Sequence, residues 1–380
     1  MDIKRINTKS NLYKSKYLNY IGFIKFLAMI IIIKWHLVHQ IKWSIDIGSR
    51  MCEILFISSG FLVGYNYFNS PINTSYEYSF KYTYKHLRSF YPLYLINLAS
   101  STIYNKIFFK CINKQCFSIL TTIEIFLINI TFLQSWSKYK VPYFNDHTWF
   151  LSDLLFLYFV SPILLKGIKT IKISIVLFIL ISLIRIIVEI FLRNGAINFF
   201  DTHIYYGPII RLLEFYLGML TIPLFFFIKH NFDNVIIYRK VLQIIYTFIQ
   251  IIFPIHAYFF MLKYNKILYS CFFILYSCFF VFMMGFDYGY LSNIISHKIF
   301  KLIMCCQFEI YLLQFKVNPL FTKLEPSSNG SSRLYIELIF HLKLILIFLI
   351  SYTYKTLLKE KLAKYMDKII VLIEKLLDII

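Results

Sequence analysis

Residues 20–40 read YIGFIKFLAMIIIIKWHLVHQ, an apolar run long enough for one membrane-spanning helix. The run nevertheless contains ionisable side chains, among them Lys25, Lys34 and His36. An ionisable side chain at the centre of a bilayer costs about 2.5–3.5 kcal/mol by insertion scales. Ionisable residues inside a predicted membrane helix therefore indicate a functional site unless a neighbouring helix explains them.

Apolar runs of this kind recur along the chain of 380 residues. The composition is 59% hydrophobic and 20% aromatic, whereas a soluble domain is closer to half apolar. We therefore predict an all-α, polytopic membrane helix bundle that forms a single domain over 1–380. Residues 20–358 would form the bundle, with tails at 1–19 and 359–380. The runs lie at 20–40, 51–68, 89–109, 117–135, 149–166, 173–193, 209–229, 241–261, 266–285, 301–322 and 334–354.

Lysine and arginine concentrate in particular segments, and cytoplasmic loops carry an excess of these residues. The N-terminal tail, the loop 69–88, the turn KGIKTIK at 166–172 and the tail after Lys355 are all basic. All of them fall on the cytoplasmic side if the run 117–135 does not cross the membrane. The sequence thus predicts about ten spanning helices, both termini cytoplasmic, and a multi-pass protein of the cell inner (plasma) membrane. The non-spanning run also contains polar residues: Thr121, Thr122, Glu124, Asn129 and Thr131.

The net charge of +21 would suggest a nucleic-acid partner in a soluble protein. In a membrane protein the lysines are better interpreted as topology signals, so we predict no nucleic-acid partner. The seven cysteines show no metal-binding pattern, and we predict no metal site. Cys111 and Cys116 flank the loop sequence INKQ, and either a disulfide or two free thiols fits this arrangement.

Lys25 and His36 are eleven residues apart on the first predicted helix. Eleven residues complete three turns plus about 20° and rise about 16 Å, so the two side chains share one face about half a bilayer apart. They cannot touch each other, but they can contact the two ends of one long ligand. Lys34 lies on another face, from which its side chain can extend to the membrane surface.

The second predicted helix begins at the outer side with MCEILFISSGFLVG, residues 51–64. Glu53 is in its first predicted turn, and we expect it at about the depth of His36. A carboxylate beside an imidazole fixes the tautomer and strengthens the imidazole as a base. The segment 58–60, Ser-Ser-Gly, then forms a small-residue surface that another helix or a ligand can approach closely.

Five further stretches follow KFLAMIIIIKWH of the first helix, in this order: EILFISSGFL, KHLRSFYPLYL, HTWFLSDLLFLYFVSPIL, RLLEFYLGML and FEIYLLQF. Together the six stretches resemble the motifs of the acyltransferase-3 family of integral-membrane acyltransferases. Three features depart from the family pattern. Lys25 stands where many members have arginine, the basic pair Lys85 and Arg88 is shifted by one residue, and Gln314 replaces a histidine.

The resemblance implies transfer of an acyl group from a cytoplasmic donor, usually acetyl-CoA, to a hydroxyl of an extracytoplasmic polysaccharide or glycan precursor. Acetyl-CoA, or another acyl-CoA, is then a substrate, and no cofactor is permanently bound. The donor would bring its thioester to His36, which would act as the general base and be oriented by Glu53. Direct transfer and a covalent acyl-histidine intermediate both remain open, as does the identity of the acyl group.

Other candidate residues would bind the two substrates in this interpretation. Lys25, Lys85 and Arg88 would hold the phosphates of coenzyme A near the cytoplasmic face. The candidates for binding the sugar acceptor at the outer mouth are Asp146, His147, Trp149 and Arg211.

Several charged residues also have a purely structural interpretation. Taken alone, Lys85 and Arg88 are more typical of topology signals than of phosphate ligands. Arg185 and Glu189 are four residues apart on a predicted spanning helix and are expected to neutralise each other. Glu309 is deep in an apolar run, so it needs a partner.

Taken alone, His147 and Trp149 are typical of an interfacial aromatic belt, and Arg211 can extend its side chain to the membrane surface.

Two other functions compete with acyl transfer. A transporter or flippase for a lipid-linked sugar would often contain broken helices in two matching halves, which the sequence does not display. An accessory subunit of polysaccharide synthesis or export would tolerate the loss of His36.

Overall fold

A computed structural model describes residues 18–38, 47–69, 75–108, 119–137, 147–195, 206–233, 239–263, 266–314, 316–317, 321 and 333–377. Within these ranges the secondary structure is helical and there is no β-strand, so the prediction of an all-α fold is confirmed. Asp146, Cys111 and Cys116 lie outside the described residues.

The described residues form a series of α-helices. In chain order they are α1 Asn19–Val38, α2 Ile47–Asn69, α3 Tyr76–Phe108, α4 Ile119–Ile130, α5 Trp149–Leu165, α6 Ile171–Gly195, α7 Pro208–Leu220, α8 Ile222–Asp233, α9 Arg239–Lys263, α10 Lys266–Met284, α11 Tyr290–Ile295, α12 Lys298–Met304, α13 Gln307–Leu313, α14 Arg333–Leu357 and α15 Lys359–Leu377. A short 3-10 helix, Gln134–Trp136, lies between α4 and α5.

Five helical segments in the described part of the chain are long and apolar enough to cross a membrane. They are Asn19–His36, Gly48–Asn69, Ile171–Phe191, Pro208–Asn231 and Glu337–Leu357. The fourth of these continues from α7 into α8 across Thr221. These segments identify the chain as a membrane protein.

The spanning candidates differ in how much of their surface the protein itself covers. The window of α2 is 83% buried, whereas that of α6 is 22% buried. On α6 the exposed side chains are large and apolar, as at Val176, Leu183 and Phe191. An apolar surface of this extent is unusual on a water-soluble protein and suits contact with lipid. α2 is therefore an interior helix, and α6 turns one face outward.

The apolar run 301–322 does not form the single spanning helix that the sequence predicts. It contains the end of α12 and all of α13, which are separated at Cys305 and Cys306. Each of these helices has seven residues and rises only about 10 Å, against a hydrocarbon thickness of about 30 Å. An interrupted helix is tolerated where protein covers its backbone, and Cys306 and Leu312 are both fully buried.

The run 117–135 contains a helix shorter than a membrane span. α4 has 12 residues and rises about 18 Å. The chain then reverses through Phe132, whose φ of 57° lies in the left-handed region that bulky residues avoid. That the segment does not cross the bilayer stays a prediction.

The chain forms two compact units. The single domain predicted over 1–380 stays a prediction. The first unit contains α1, α2, the second half of α5 and the helices α6 to α12. The second unit contains most of α3, α4, the first half of α5 and the helices α13 to α15. The predicted tail 359–380 is mostly the helix α15.

Close packing of α2 against α7 forms the centre of the first unit. A methyl group added to Gly60 would overlap the backbone carbonyl of Phe215, and one added to Gly218 would overlap the carbonyl of Ile57. The two helices therefore approach backbone to backbone at two reciprocal glycines. This confirms the predicted close approach at the Ser-Ser-Gly segment, and small residues are the usual means of such packing in membranes.

We predict that Gly60→Ala destabilises the first unit by at least about 2 kcal/mol, because the added methyl group meets backbone that cannot move away without separating the helices. Gly167→Ala is the matched control, since its methyl group would meet only the Tyr216 hydroxyl at 3.2 Å and a carbonyl at 3.4 Å. Thermal unfolding of both variants in detergent measures the difference. Equal stability of the two variants would contradict the close packing.

Candidate functional site

α1 and α2 run antiparallel, and two contacts set their register. Lys25 Nζ donates a hydrogen bond to Ser59 Oγ at 3.1 Å. Near the other end, the indole of Trp35 packs on the backbone of Gly48, where a methyl group would lie 2.6 Å from the Trp35 Cδ2 atom. The two ends of the helix that carries Lys25 and His36 are thus both attached to α2.

His36 lies in the last turn of α1 and is half-buried. Its ring centroid is 4.9 Å from that of Trp35, in an edge-to-face arrangement. Because Trp35 packs on Gly48, His36 lies at the level of the first turn of α2. An imidazole in this position is covered on one side by an aromatic ring and retains partial access.

Glu53 lies deeper than the sequence predicts. α2 begins at Ile47, so Glu53 is in the second turn and about 7.5 Å along the axis from Gly48. Its Oε1 atom lies 2.5 Å from Arg50 Nη1 and 3.7 Å from Arg185 Nη2. The contacts that the structure describes for Glu53 are thus with arginines, and its role in orienting His36 stays a prediction.

Glu53 belongs to a set of six buried ionisable side chains in the first unit, which we call the buried charge cluster. They are contributed by α2, α6 and α7, and none is more than 5% exposed. Three arginines face three glutamates, so the formal charge of the set is zero. Its members are Arg50, Glu53, Arg185, Glu189, Arg211 and Glu214.

Arg185 is the centre of the buried charge cluster because it contacts all three glutamates. Its Nη1 atom lies 2.6 Å from Glu189 Oε2, which confirms the predicted pairing along α6. Its Nη2 atom lies 3.1 Å from Glu214 Oε1 and 3.7 Å from Glu53 Oε1. A single guanidinium on α6 therefore connects to both α2 and α7.

Arg211 turns inward instead of extending to the membrane surface. Its Nη1 atom donates to both carboxylate oxygens of Glu214, at 2.9 and 2.7 Å. Its guanidinium carbon lies 5.4 Å from the ring centroid of Phe56 on α2. Arg211 and Glu53, two predicted site residues, are thus brought into one buried cluster, and the role of Arg211 in acceptor binding stays a prediction.

One atom of the buried charge cluster has spare hydrogen-bonding capacity. Glu53 Oε2 is buried and accepts no hydrogen bond from the described part of the chain. A buried carboxylate oxygen without a donor is costly, so such an atom is a place where a polar ligand group or a water molecule is favoured.

Sequence reasoning identified the pair Arg185 and Glu189 but missed Arg50 and Glu214 as partners. The signal was present, because each of the three helices carries one arginine followed by a glutamate three or four residues later. Such spacing puts opposite charges on one helix face. The sequence does not indicate that the three pairs meet.

The aromatic candidates of the second unit are buried, which disfavours the interfacial-belt interpretation. His147 is 3% exposed and Trp149 is 5% exposed. The backbone carbonyl of His147 accepts a hydrogen bond from the Tyr311 hydroxyl, and the two rings lie 5.0 Å apart. Gln314, which stands where the family motif has histidine, donates to the Tyr311 carbonyl at 3.0 Å.

Side-chain hydrogen bonds hold the segment after α4 against the start of α5. Gln134 Nε2 donates to the Thr148 carbonyl at 3.0 Å, and Ser135 Oγ donates to the Trp149 carbonyl at 3.0 Å. Ser152 Oγ donates to the carbonyl of Phe132 at 2.5 Å. These bonds fix the backbone around His147 and Trp149 without using their side chains.

Arg88, a predicted phosphate ligand in the second unit, has partners from its own chain. Its Nη2 atom lies 2.5 Å from Asp367 Oδ2 on α15, and the Tyr84 hydroxyl donates to Asp367 Oδ1 at 2.8 Å. The hydrogen bond from Arg88, followed by that from Tyr84, lowers the pKa of Asp367. Lys85 is exposed, and it forms no hydrogen bond or ion pair with the described residues.

The predicted site residues therefore belong to both units. Lys25, His36, Glu53 and Arg211 are in the first unit, and the second unit holds Lys85, Arg88, His147 and Trp149. In the described ranges no group of three or more histidine, cysteine, aspartate or glutamate side chains is placed to hold a metal ion.

No model of a known protein family, no curated protein and no solved structure matches the chain.

We predict that Glu214→Gln destabilises the first unit by about 3–5 kcal/mol, because the substitution leaves Arg185 and Arg211 without a shared carboxylate in a buried environment. The double variant Arg211→Met/Glu214→Gln removes one charge of each sign and should be less destabilised than Glu214→Gln alone. Unfolding of both variants in detergent measures this non-additivity. A double variant that is the less stable of the two would contradict charge balance as the organising factor.

We predict that acid weakens the attachment of α15 to α3. The lowered pKa of Asp367 means that this attachment is fully present above the ordinary aspartate pKa of about 3.9 and is lost as the pH falls through the lower, attached-state value. Hydrogen exchange of the α15 amides, corrected for the intrinsic effect of pH, measures it. Asp367→Asn should show faster exchange at neutral pH and no further change on acidification. A variant that exchanges like the natural chain would contradict the role of this carboxylate.

Proposed function

We propose that this protein is an integral-membrane acyltransferase. It would transfer an acyl group from acyl-CoA to a hydroxyl of an extracytoplasmic polysaccharide or glycan precursor. We propose acetyl-CoA as the donor. The proposal rests on the motif resemblance and on one structural observation. Lys25 and His36 lie toward opposite ends of a membrane-length helix, and both ends are fixed to α2 by polar or backbone contacts.

The proposed topology has about ten crossings, both termini in the cytoplasm, and a location in the inner (plasma) membrane. The distribution of lysine and arginine supports this orientation. The run 301–322 would cross as an interrupted segment, which the burial of Cys306 and Leu312 permits. In this orientation Lys25 faces the cytoplasmic side and His36 the outer side.

The proposed chemistry needs a base at the outer end of α1. The His36 imidazole would accept the proton of the acceptor hydroxyl while the hydroxyl oxygen attacks the thioester carbonyl. The carbon–sulfur bond then breaks, and the coenzyme A thiolate takes up the proton from the imidazolium. Lys25, one half-bilayer away, would contact the other end of the donor. A covalent acyl-histidine would use the same atoms in two steps.

Glu53 would act in this proposal mainly through its position in the buried charge cluster. Its contacts with Arg50 and Arg185 hold the start of α2 relative to α6, and α2 in turn carries the surface on which Trp35 packs. Its second oxygen, Oε2, can accept a hydrogen bond from a bound polar group. The roles of six further residues in substrate binding stay predictions: Lys85, Arg88, Asp146, His147, Trp149 and Arg211.

A transporter for a lipid-linked sugar is the second candidate. One interruption in an apolar run favours it, at Cys305–Cys306 between α12 and α13. Discontinuous helices are typical of transporters. The buried charge cluster is compatible with either function, because intramembrane charges mark transport pathways as well as reaction centres.

We predict that inverted membrane vesicles containing this protein transfer label from acetyl-labelled acetyl-CoA to endogenous glycan. His36→Ala should lower the rate of transfer by roughly a hundredfold or more, the effect of removing a general base. His341→Ala is the matched control, because this histidine is exposed on α14 and is distant in sequence from the proposed centre.

The same assay separates the candidates. Equal transfer by the natural chain and by His36→Ala would contradict the proposed base. Absence of transfer by the natural chain, with donor and acceptor pools shown to be adequate, would favour transport or an accessory role.

A further inference from the structure

α15 begins at the point where the chain leaves a candidate membrane span. The span Glu337–Leu357 ends α14, and only Leu358 separates α14 from α15. Lys359, the first residue of α15, forms an ion pair of 2.6 Å with Glu309, which supplies the partner that the sequence requires for this buried carboxylate. The start of α15 is therefore held at the end of a helix that crosses the bilayer.

The sequence of α15 separates its charges by sign. Acidic residues recur every seven positions, at Glu360, Asp367 and Glu374. In an α-helix a spacing of seven puts these residues along one line. The lysines lie along a second line, beside the acidic one, and they are Lys361, Lys364, Lys368 and Lys375. The sequence places apolar residues on the remaining face, at 362, 366, 369, 373 and 376.

The acidic line is directed toward α3, because its middle member, Asp367, contacts Arg88 and Tyr84. α3 is complementary in charge, since Lys81, Lys85 and Arg88 are four and three residues apart and share one face. The partners of Asp367 therefore lie within the chain.

Three members of the lysine line have described side chains, and these three have no acidic partner in the described part of the chain. Lys361, Lys364 and Lys368 are exposed, and none of them forms an ion pair with the described residues. Lys368 lies 5.7 Å from the ring centroid of Tyr365, which is itself 64% exposed. Three cations and an aromatic ring are thus presented together on the side of α15 that α3 leaves uncovered.

We propose that α15 is an interfacial helix that docks on anionic phospholipid headgroups through Lys361, Lys364 and Lys368, with Tyr365 at the headgroup level. A helix that is basic on one side, apolar on another and joined directly to a membrane span is suited to lie in the plane of the interface. Lysine ammonium groups there are attracted to anionic lipids. Tyrosine is enriched at the same level of the membrane.

The separation of acidic and basic residues on α15 explains why the helix carries both signs of charge. The acidic line fixes the rotation of the helix against α3, and this rotation directs the lysines to the membrane surface. Without Asp367, neither the ion pair with Arg88 nor the hydrogen bond from Tyr84 would hold the helix in this rotation. The inference concerns the lipid contact alone and does not depend on acyl transfer.

The test uses the full chain in nanodiscs of phosphatidylcholine, with and without phosphatidylglycerol, and measures hydrogen exchange of residues 359–377. Anionic lipid should slow exchange in α15, with about a fivefold contribution to docking from each lysine. High salt should remove most of this protection because it screens the headgroup charge. The triple variant Lys361→Gln/Lys364→Gln/Lys368→Gln should exchange at the same rate in both lipids.

Two further variants make the result specific. Lys166→Gln/Lys169→Gln/Lys172→Gln removes the same charge from three exposed lysines elsewhere and should retain the lipid dependence. Replacement of the three α15 lysines by arginine should also retain it. Exchange that is equal in the two lipids for the natural chain would overturn the proposal. So would a glutamine variant that keeps its lipid dependence, which would indicate another partner, such as a second copy of the chain.

Discussion

Six ionisable side chains buried among apolar helices impose the constraint on which the rest of the structure depends. Water cannot solvate Arg50, Arg185 and Arg211 where they lie, so each must find a carboxylate. The carboxylates come from three different helices, and the contacts are possible only when α2, α6 and α7 are held in one arrangement. The glycine contacts between α2 and α7 then follow from the same arrangement and allow these backbones to approach closely enough.

This constraint also positions the groups that are candidates for chemistry. α2 is fixed by the buried charge cluster, and α1 is attached to α2 at Ser59 and Gly48. The position of His36 therefore depends on the buried charge cluster through α2. A low-dielectric environment strengthens every polar contact in such an arrangement and makes an incomplete contact costly. For this reason a substitution in the cluster is expected to change folding and position together.

Charges outside the bundle serve a different purpose. Arg88 and Asp367 are each about two-fifths exposed, and exposed ion pairs contribute little to stability. The ion pair between Arg88 and Asp367 matters for orientation, because it determines which side of α15 faces α3. The buried ion pairs hold α2, α6 and α7 together because water cannot solvate their charges. The exposed pair Arg88–Asp367 instead orients α15, which the ion pair between Lys359 and Glu309 also holds in place.

The all-α class and the membrane setting were determined by the sequence alone, because runs of apolar residues require helices in lipid. The sequence also identified Arg185 with Glu189 as a pair, since four-residue spacing is a local property. Tertiary structure decided that Arg211 faces inward, that Glu53 binds arginine, and that the run 301–322 breaks at Cys305–Cys306. Each of these outcomes depends on which groups from distant segments share a buried volume. The spacing of apolar residues along a helix does not indicate which segment packs against it, because the same apolar face can pack against different partners.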